Sequence, residues 1–155
     1  MKQFEFNYSK KFNCIADKCK HNCCKGWQIA VDKKTADKYP ENTAYDFMGK
    51  SVNYSDFIKE VDLCAKALVA MGVKKGETVT VCLPNLPHTV IMFYAINKIG
   101  AIASMIHPLS AEKEIEFYLN ESESLTVITL DQFYNKIESI RKNTKIERIG
   151  VIRSI

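Results

Sequence analysis

The stretch "ETVTVCLPNLPHTVIMFYAINKIGAIASMIHP", Glu77 to Pro108, decides the fold. It opens with Thr78, Val79, Thr80 and Val81, a β-branched run that favours extended backbone and is stopped by Pro84. Pro87 then suits the first turn of a helix, because a proline there loses no helical hydrogen bond. The segment that follows, His88 to Gly100, is apolar on most sides, which predicts a buried helix rather than a surface one. Ala101 to Pro108 reads as a second strand. Strand, helix and strand in this order predict a crossover unit with its two strands parallel.

The same alternation extends outward on both sides. Upstream, "AYDFMGKSVNY" reads as two short strands turning around Gly49-Lys50, a hairpin. After it, Tyr54, Phe57, Ile58, Val61, Ala65 and Leu68 form one apolar stripe at helical spacing. Asn53 and Asp56 read as its capping pair, and Gly72 as its left-handed closing residue. Downstream, "SAEKEIEFYLNES" reads as a helix capped by Ser110, with Glu112 and Glu114 favouring its positive dipole end. "LTVITL" is a strand, "DQFYNKIESIRKN" a helix with Phe133, Ile137 and Ile140 on one face, and "RIGVIRSI" a last strand. Strands alternating with helices of about ten to fourteen residues predict an α/β fold. The expected architecture has three layers: a mostly parallel sheet with helices on both faces, preceded by a short cysteine-rich extension.

The bulk properties narrow the function classes. A chain of 155 residues is one ordinary domain with an appendage. Its 22 basic and 18 acidic residues leave a net charge of +4, with no dense basic tract interleaved with aromatics, which argues against nucleic acid. No apolar stretch is long enough to span a membrane, and "MKQFEFNYSKKF" lacks the apolar run of a secretion signal. The expected location is the cytoplasm. Thiols stay reduced there, so clustered cysteines point to metal ligands rather than disulfides.

Such a cluster occupies "FNCIADKCKHNCCKGW", Phe12 to Trp27. Cys14, Cys19, Cys23 and Cys24 are separated by four, three and no residues, a set that can supply thiolates to zinc or an iron–sulfur centre. Adjacent Cys23 and Cys24 point in different directions, so one ion would take three of the four, with His21, Asp17 or a residue elsewhere completing the shell. The bland reading is four unligated thiols. Cys64 and Cys82, each alone in an apolar pattern, read as small buried hydrophobes.

The α/β part carries little chemistry of its own. Gly72 and Gly76 in "GVKKGE" lie between a helix and a strand, the reverse of the order a phosphate loop needs, and read as a plain turn. No serine, histidine and acid set suggests a nucleophilic triad. Ligands of open α/β sheets bind beyond the carboxyl ends of the strands, here Pro84-Asn85, His107-Pro108 and Asp131. His107 and His88 read as loop and helix-start residues.

From about Tyr39 onward, "YPENTAYDFMGKSVNYSDF", "AKALVAMGVKKGETVTVCLPNLPHTVIMFYAINKIGA" and "HPLSAEKEIEFYLNESESLTVIT" resemble the N-terminal portion of the AMP-forming adenylate-forming enzymes, the acyl-CoA synthetase group. The resemblance covers about three quarters of the chain. It implies chemistry that joins ATP to a carboxylic acid as an acyl-adenylate and passes the acyl group to coenzyme A, with magnesium on the triphosphate. That family's Ser/Thr/Gly-rich phosphate loop, its adenine- and ribose-contacting motifs and its C-terminal lysine have no matching position here. No residue of this chain is therefore expected to be catalytic or cofactor-binding, and the chain alone is expected to need neither ATP, magnesium nor coenzyme A. The run "CIADKC…CC.GW.I..D..T" resembles the N-terminal cysteine motif of flagellin lysine N-methylases, which implies zinc or iron at the cluster. The expected division is a cysteine-rich extension over 1–38 and a partial subdomain of an adenylate-forming enzyme over 39–155. Two further expectations are a metal-binding module, and a non-catalytic interaction domain that self-associates through an exposed sheet edge.

Overall fold

The computed structural model describes residues 37–153. Its first elements are a hairpin of β1 (Thr43–Phe47) and β2 (Lys50–Asn53), paired antiparallel with a bulge between Thr43 and Tyr45. The turn is Met48-Gly49, one residue earlier than the sequence suggests. Both residues hold positive φ, 52° and 80°, as a two-residue hairpin turn requires.

Helix α1 (Tyr54–Ala70) begins where Asn53 Oδ1 accepts from the Asp56 amide at 2.8 Å. Past its end, Gly72 adopts φ of 91°. Then come β3 (Thr78–Cys82), α2 (Pro87–Lys98), β4 (Ile102–Ile106), α3 (Glu112–Glu121), β5 (Thr126–Leu130), a 3-10 turn at Asp131–Phe133, α4 (Tyr134–Arg141) and β6 (Arg148–Ile152). Four strands form one parallel sheet in the order β4-β3-β5-β6.

Each face of that sheet has its own core. On one, Val79, Val81, Ile128 and Leu130 pack against Val61, Ala65 and Leu68 of α1 and Ile91, Ala95 and Ile96 of α2. On the other, Cys82, Ile106 and Val127 meet Ile115 and Leu119 of α3 and Ile137 and Ile140 of α4. The expected three-layer α/β architecture is thus observed. The central strands β3 and β5 are buried on both faces and read as continuous apolar and β-branched runs for that reason. Fully buried Leu68, Ile96, Ile115, Leu119 and Ile137 each contribute about 1.5–3 kcal/mol of burial free energy.

Three further sequence expectations change. Helix α2 is not buried all round: Ile91, Ala95 and Ile96 face the core, whereas Val90 and Phe93 are exposed. It flanks β4 at the end of the sheet order, where the described residues supply no further element to cover it. The cap of α3 is Ala111, in extended conformation and without a side-chain bond, rather than Ser110. The Ser110 carbonyl is instead held by the Lys136 ammonium, which also donates to Pro108 O at 2.9 Å. Phe133 does not share a face with Ile137 and Ile140. The 3-10 turn rotates it toward the α1/α2 core while the two isoleucines fill the opposite one.

Candidate functional site

The strand order fixes where a ligand would be received. From β3 the chain crosses to β4 on one side, and from β5 to β6 on the other, so the winding direction reverses between β3 and β5. Loops leaving the carboxyl ends of those strands diverge there and open a crevice. They are Leu83–Leu86 and the turn at Asp131–Phe133, which places Pro84-Asn85 and Asp131 at the switch point. His107-Pro108 lies one strand out, beyond β4.

The first loop is firmly held. Thr89 Oγ1 donates to Pro84 O at 2.6 Å, and the Thr89 amide donates to Leu86 O at 3.0 Å. Leu86, extended at φ −125° and ψ 160°, leads into α2 with Pro87 in the first turn. No acidic residue occupies that turn, so its positive dipole end is not neutralised by the chain itself. A cleft of about 300 Å³ lies against this loop, lined by Tyr45, Asp46 and Phe47 of β1 and by Asn85, Leu86, Pro87, Thr89 and Val90.

The hairpin reaches this position through a ladder of edge-to-face rings. Tyr45 meets Phe57 of α1 at 5.9 Å, Phe57 meets Tyr94 of α2 at 5.6 Å, and Tyr94 meets Phe93 at 5.5 Å. Such pairs contribute about 0.5–1.5 kcal/mol each beyond their burial. Lys98 and Asp62 form an ion pair that ties the same two helices together. Burial, then the Glu60 carboxylate that accepts from its hydroxyl at 3.4 Å, raises the Tyr45 pKa.

Beneath the crevice the carboxyl ends hold two buried groups. Cys82 and Thr129 are register partners on adjacent strands, both fully buried. Burial pushes the Cys82 thiol up to about 11, against a smaller downward pull from Lys136. Thr129 Oγ1 is, among the described residues, the buried side-chain polar atom with no hydrogen-bond partner. The chemistry available here is that of a shaped backbone crevice, since neither group is a nucleophile in this state.

The amino ends of the strands are built differently. Glu77 Oε1 accepts from Arg148 Nη2 and from Thr126 Oγ1, the latter at 3.0 Å, while Arg148 Nε donates to Thr126 Oγ1 at 2.9 Å. Gly76 donates to Gly100 O at 2.8 Å, and Ile102 to Glu77 O at 2.9 Å. Gly72 and Gly76 both hold positive φ in this tight amino-end turn.

His107 is exposed, its Nδ1 accepting from the Leu109 amide at 3.3 Å, and His88 sits in the first turn of α2. Both fill the local roles their positions suggest. Cys82 is buried as expected, and Cys64 packs half-buried against the α1/α2 core. Cys14, Cys19, Cys23 and Cys24 lie outside the described residues, as do Asp17 and His21. Among the described residues no three His, Cys, Asp or Glu side chains converge as a metal cage. Likewise, no described helix is long and apolar enough to cross a membrane.

The sequence gives no sign of three lining residues, Tyr45, Phe47 and Val90. They come from two elements far apart in sequence, β1 and α2, and the ring ladder sets β1 beside the β3–α2 loop. Lys136 was equally hidden, as its partners Pro108 and Ser110 lie 28 and 26 residues away in sequence.

Several known proteins are similar to this chain. The profile of the family described as "AMP-binding enzyme" matches residues 32–154. A long-chain-fatty-acid–CoA ligase of Bacillus subtilis is 32% identical over 115 residues, spanning 74% of this chain and 20% of that protein. An acetyl-coenzyme A synthetase of Methanothrix thermoacetophila is 28% identical over 142 residues, 81% of this chain and 22% of that one. Among solved structures, a long-chain-fatty-acid-CoA ligase from Archaeoglobus fulgidus superposes with a TM-score of 0.69 at 29% identity, covering 76% of this chain and 25% of its own. The chain thus spans about a fifth of the length of these curated relatives. With the profile matching most of its length, this chain belongs to the family of AMP-binding enzymes.

Proposed function

We propose that this chain is the opening scaffold of an AMP-forming acid–thiol ligase, which converts ATP, a carboxylic acid and coenzyme A to acyl-CoA, AMP and pyrophosphate. The observation that carries the reading is the family match over residues 32–154, whose parallel sheet reverses its winding between β3 and β5. The relatives are named as CoA ligases of fatty acids and as acetyl-coenzyme A synthetases, so a carboxylic acid is the substrate class. In this reading the loops at Pro84-Asn85 and Asp131 form one wall of the reaction crevice, and residues elsewhere do the chemistry.

The described residues do not fit a resident magnesium cage, since no three His, Cys, Asp or Glu side chains converge among them. Nor does the chain contain a Ser/Thr/Gly-rich loop ending in Pro-Lys to grip the triphosphate. In this reading the chain by itself is an inactive piece of the ligase, with a cysteine-rich extension over 1–38 and a partial subdomain over 39–155, and its proposed location is the cytoplasm. Acid-dependent exchange of pyrophosphate into ATP tests this directly. The expected result for these 155 residues is no exchange above a protein-free control; exchange that rises with added acid overturns the inactivity.

A separate proposal rests on cysteine spacing alone: Cys14, Cys19 and one of Cys23 or Cys24 hold zinc or an iron–sulfur centre. Anaerobic purification followed by metal analysis decides it. Less than about one tenth of an equivalent of either metal would falsify it.

A further inference from the structure

We propose that the β4–α3 loop, residues 107–111, is a lid over the carboxyl end of the α3/α4 core, and that the Lys136 ammonium is the latch that holds it shut. The loop leaves β4 directly after Ile106, the register partner of Cys82, and leads into α3. Within it Pro108 is fully buried, whereas His107 and Leu109 on either side are exposed. One side chain thus plugs the core while its neighbours face solvent.

The loop is fastened unlike the turns at the other end of the sheet. Ser110 N donates to His107 O at 3.1 Å, Leu109 N to His107 Nδ1 at 3.3 Å, and Glu114 N and Ile115 N each to Ala111 O at 3.0 Å. All of these are local. Among the described residues, the hydrogen bonds that tie residues 108–111 to another element are the two donated by Lys136 Nζ, to Pro108 O at 2.9 Å and to Ser110 O. Lys136 lies in the first turn of α4, beside Ile137 of the same core. The turn that leads into β4, by contrast, is bonded backbone to backbone, Gly76 to Gly100 O and Ile102 to Glu77 O. A loop held by one ammonium is released by the loss of one side chain.

The lid shuts in groups that an apolar core does not need. Cys82 belongs to the α3/α4 core, and its register partner Thr129 follows two residues after Val127 of that core, so both side chains leave the same face of the sheet. Both are fully buried, and Thr129 Oγ1 has no hydrogen-bond partner. The Lys136 ammonium is close enough to the thiol to draw its pKa down, against the larger upward push of burial. A thiol, an unbonded hydroxyl and an ammonium therefore meet beneath one loop. Lifting the loop admits water or a small polar electrophile to all three. With the lid open the Thr129 hydroxyl gains the partner it lacks when the lid is closed, which offsets part of what the latch loses. The inference stands on these contacts and not on the ligase reading.

The test uses the full chain. Lys136→Met keeps the aliphatic stem and removes the ammonium. Iodoacetamide at pH 8 reads the lid through Cys82: the thiolate displaces iodide as the carbon–sulfur bond forms, and the thiol proton passes to the buffer. Peptide mass spectrometry separates Cys82 from the other cysteines. A hydrogen bond from a charged donor is equivalent to a shift of roughly tenfold to a hundredfold in an opening equilibrium, so Lys136→Met should alkylate Cys82 at least about tenfold faster than the parent. That rate should not change in low urea, and the amides of β3 and β5 should keep their protection from hydrogen exchange, as a local opening requires. Lys136→Arg keeps the charge and the donors, and should restore most of the protection of Cys82. Pro108→Ala removes the plug but leaves the latch, and should speed the same reaction with the same indifference to urea, which keeps the proposal falsifiable if Lys136→Met folds poorly. An unchanged Cys82 rate in Lys136→Met overturns it. So does a rate that climbs with urea in step with unfolding, a loss of protection in β3 and β5 as large as that in the loop, or no rescue by Lys136→Arg.

Discussion

The two ends of the same four strands are built on different principles. At the amino ends, Glu77, Thr126 and Arg148 close a network across β3, β5 and β6, and tight turns bond backbone to backbone. At the carboxyl ends the loops part around a cleft, and the groups beneath are an inert thiol and an unbonded hydroxyl. The difference teaches that rigidity and access are segregated along the strand direction. One end anchors the layers, which leaves the other free to open a crevice without losing the core.

The strongest way to break this contrast is to remove the amino-end anchor. Glu77→Ala leaves the largely buried Arg148 guanidinium and the buried Thr126 hydroxyl without their shared acceptor. Chemical denaturation should show a loss of about 3 kcal/mol, the cost of stripping one partner from a mostly buried ion pair. A loss below about 0.5 kcal/mol would mean that the network is ornamental, as exposed pairs are.

A pH titration probes the other end. The Cys82 thiol is raised from 9.0 to about 11 in the folded state, so the folded form holds its proton more tightly than the unfolded form does. Stability is therefore full below about pH 9 and falls as the pH rises toward about 11, by about 2 kcal/mol. Cys82→Ala should remove that alkaline slope, measured relative to the parent chain. The same burial predicts that Cys82 escapes alkylation at pH 8 until the chain unfolds, which mapping by mass spectrometry will read.

Thr129→Val sharpens the comparison in the opposite direction. It keeps the shape of a fully buried side chain while deleting a hydroxyl that has no partner, so the chain should gain about 1 kcal/mol. A loss of similar size would reveal that the hydroxyl is bonded in solution. The smallest effect belongs to the rim. Asn85→Ala, at an exposed position of the cleft, should leave the unfolding free energy unchanged to within about 0.5 kcal/mol in chemical denaturation.

Local signals made much of this fold legible. Asn53 caps α1, Pro87 starts α2, and the β-branched runs at Thr78–Cys82 and Thr126–Leu130 are the two central strands. The parts that escaped are those set by distant partners. Ser110 looks like a cap in isolation, but its carbonyl is taken by Lys136 from another helix. Phe133 fits the spacing of Ile137 and Ile140, yet a 3-10 turn ahead of α4 changes the pitch and sends it to the opposite core. Helix α2 reads as buried because composition does not say which flank meets the end of a sheet. The crevice was visible only as loops after strands. Which two loops face each other follows from strand order, and strand order is a non-local property.

The ring ladder from Tyr45 through Phe57 to Tyr94 has an optical consequence. The only tryptophan in the chain, Trp27, precedes the described residues, whereas these coupled rings lie within them. Emission excited at the red edge of protein absorbance therefore reports on the cysteine-bearing segment alone. Near-ultraviolet circular dichroism carries the tyrosines that seat the hairpin on its helices. One chain thus offers two spectroscopic windows that need no label, and melting followed in both will show whether the segment and the α/β layers unfold together or apart.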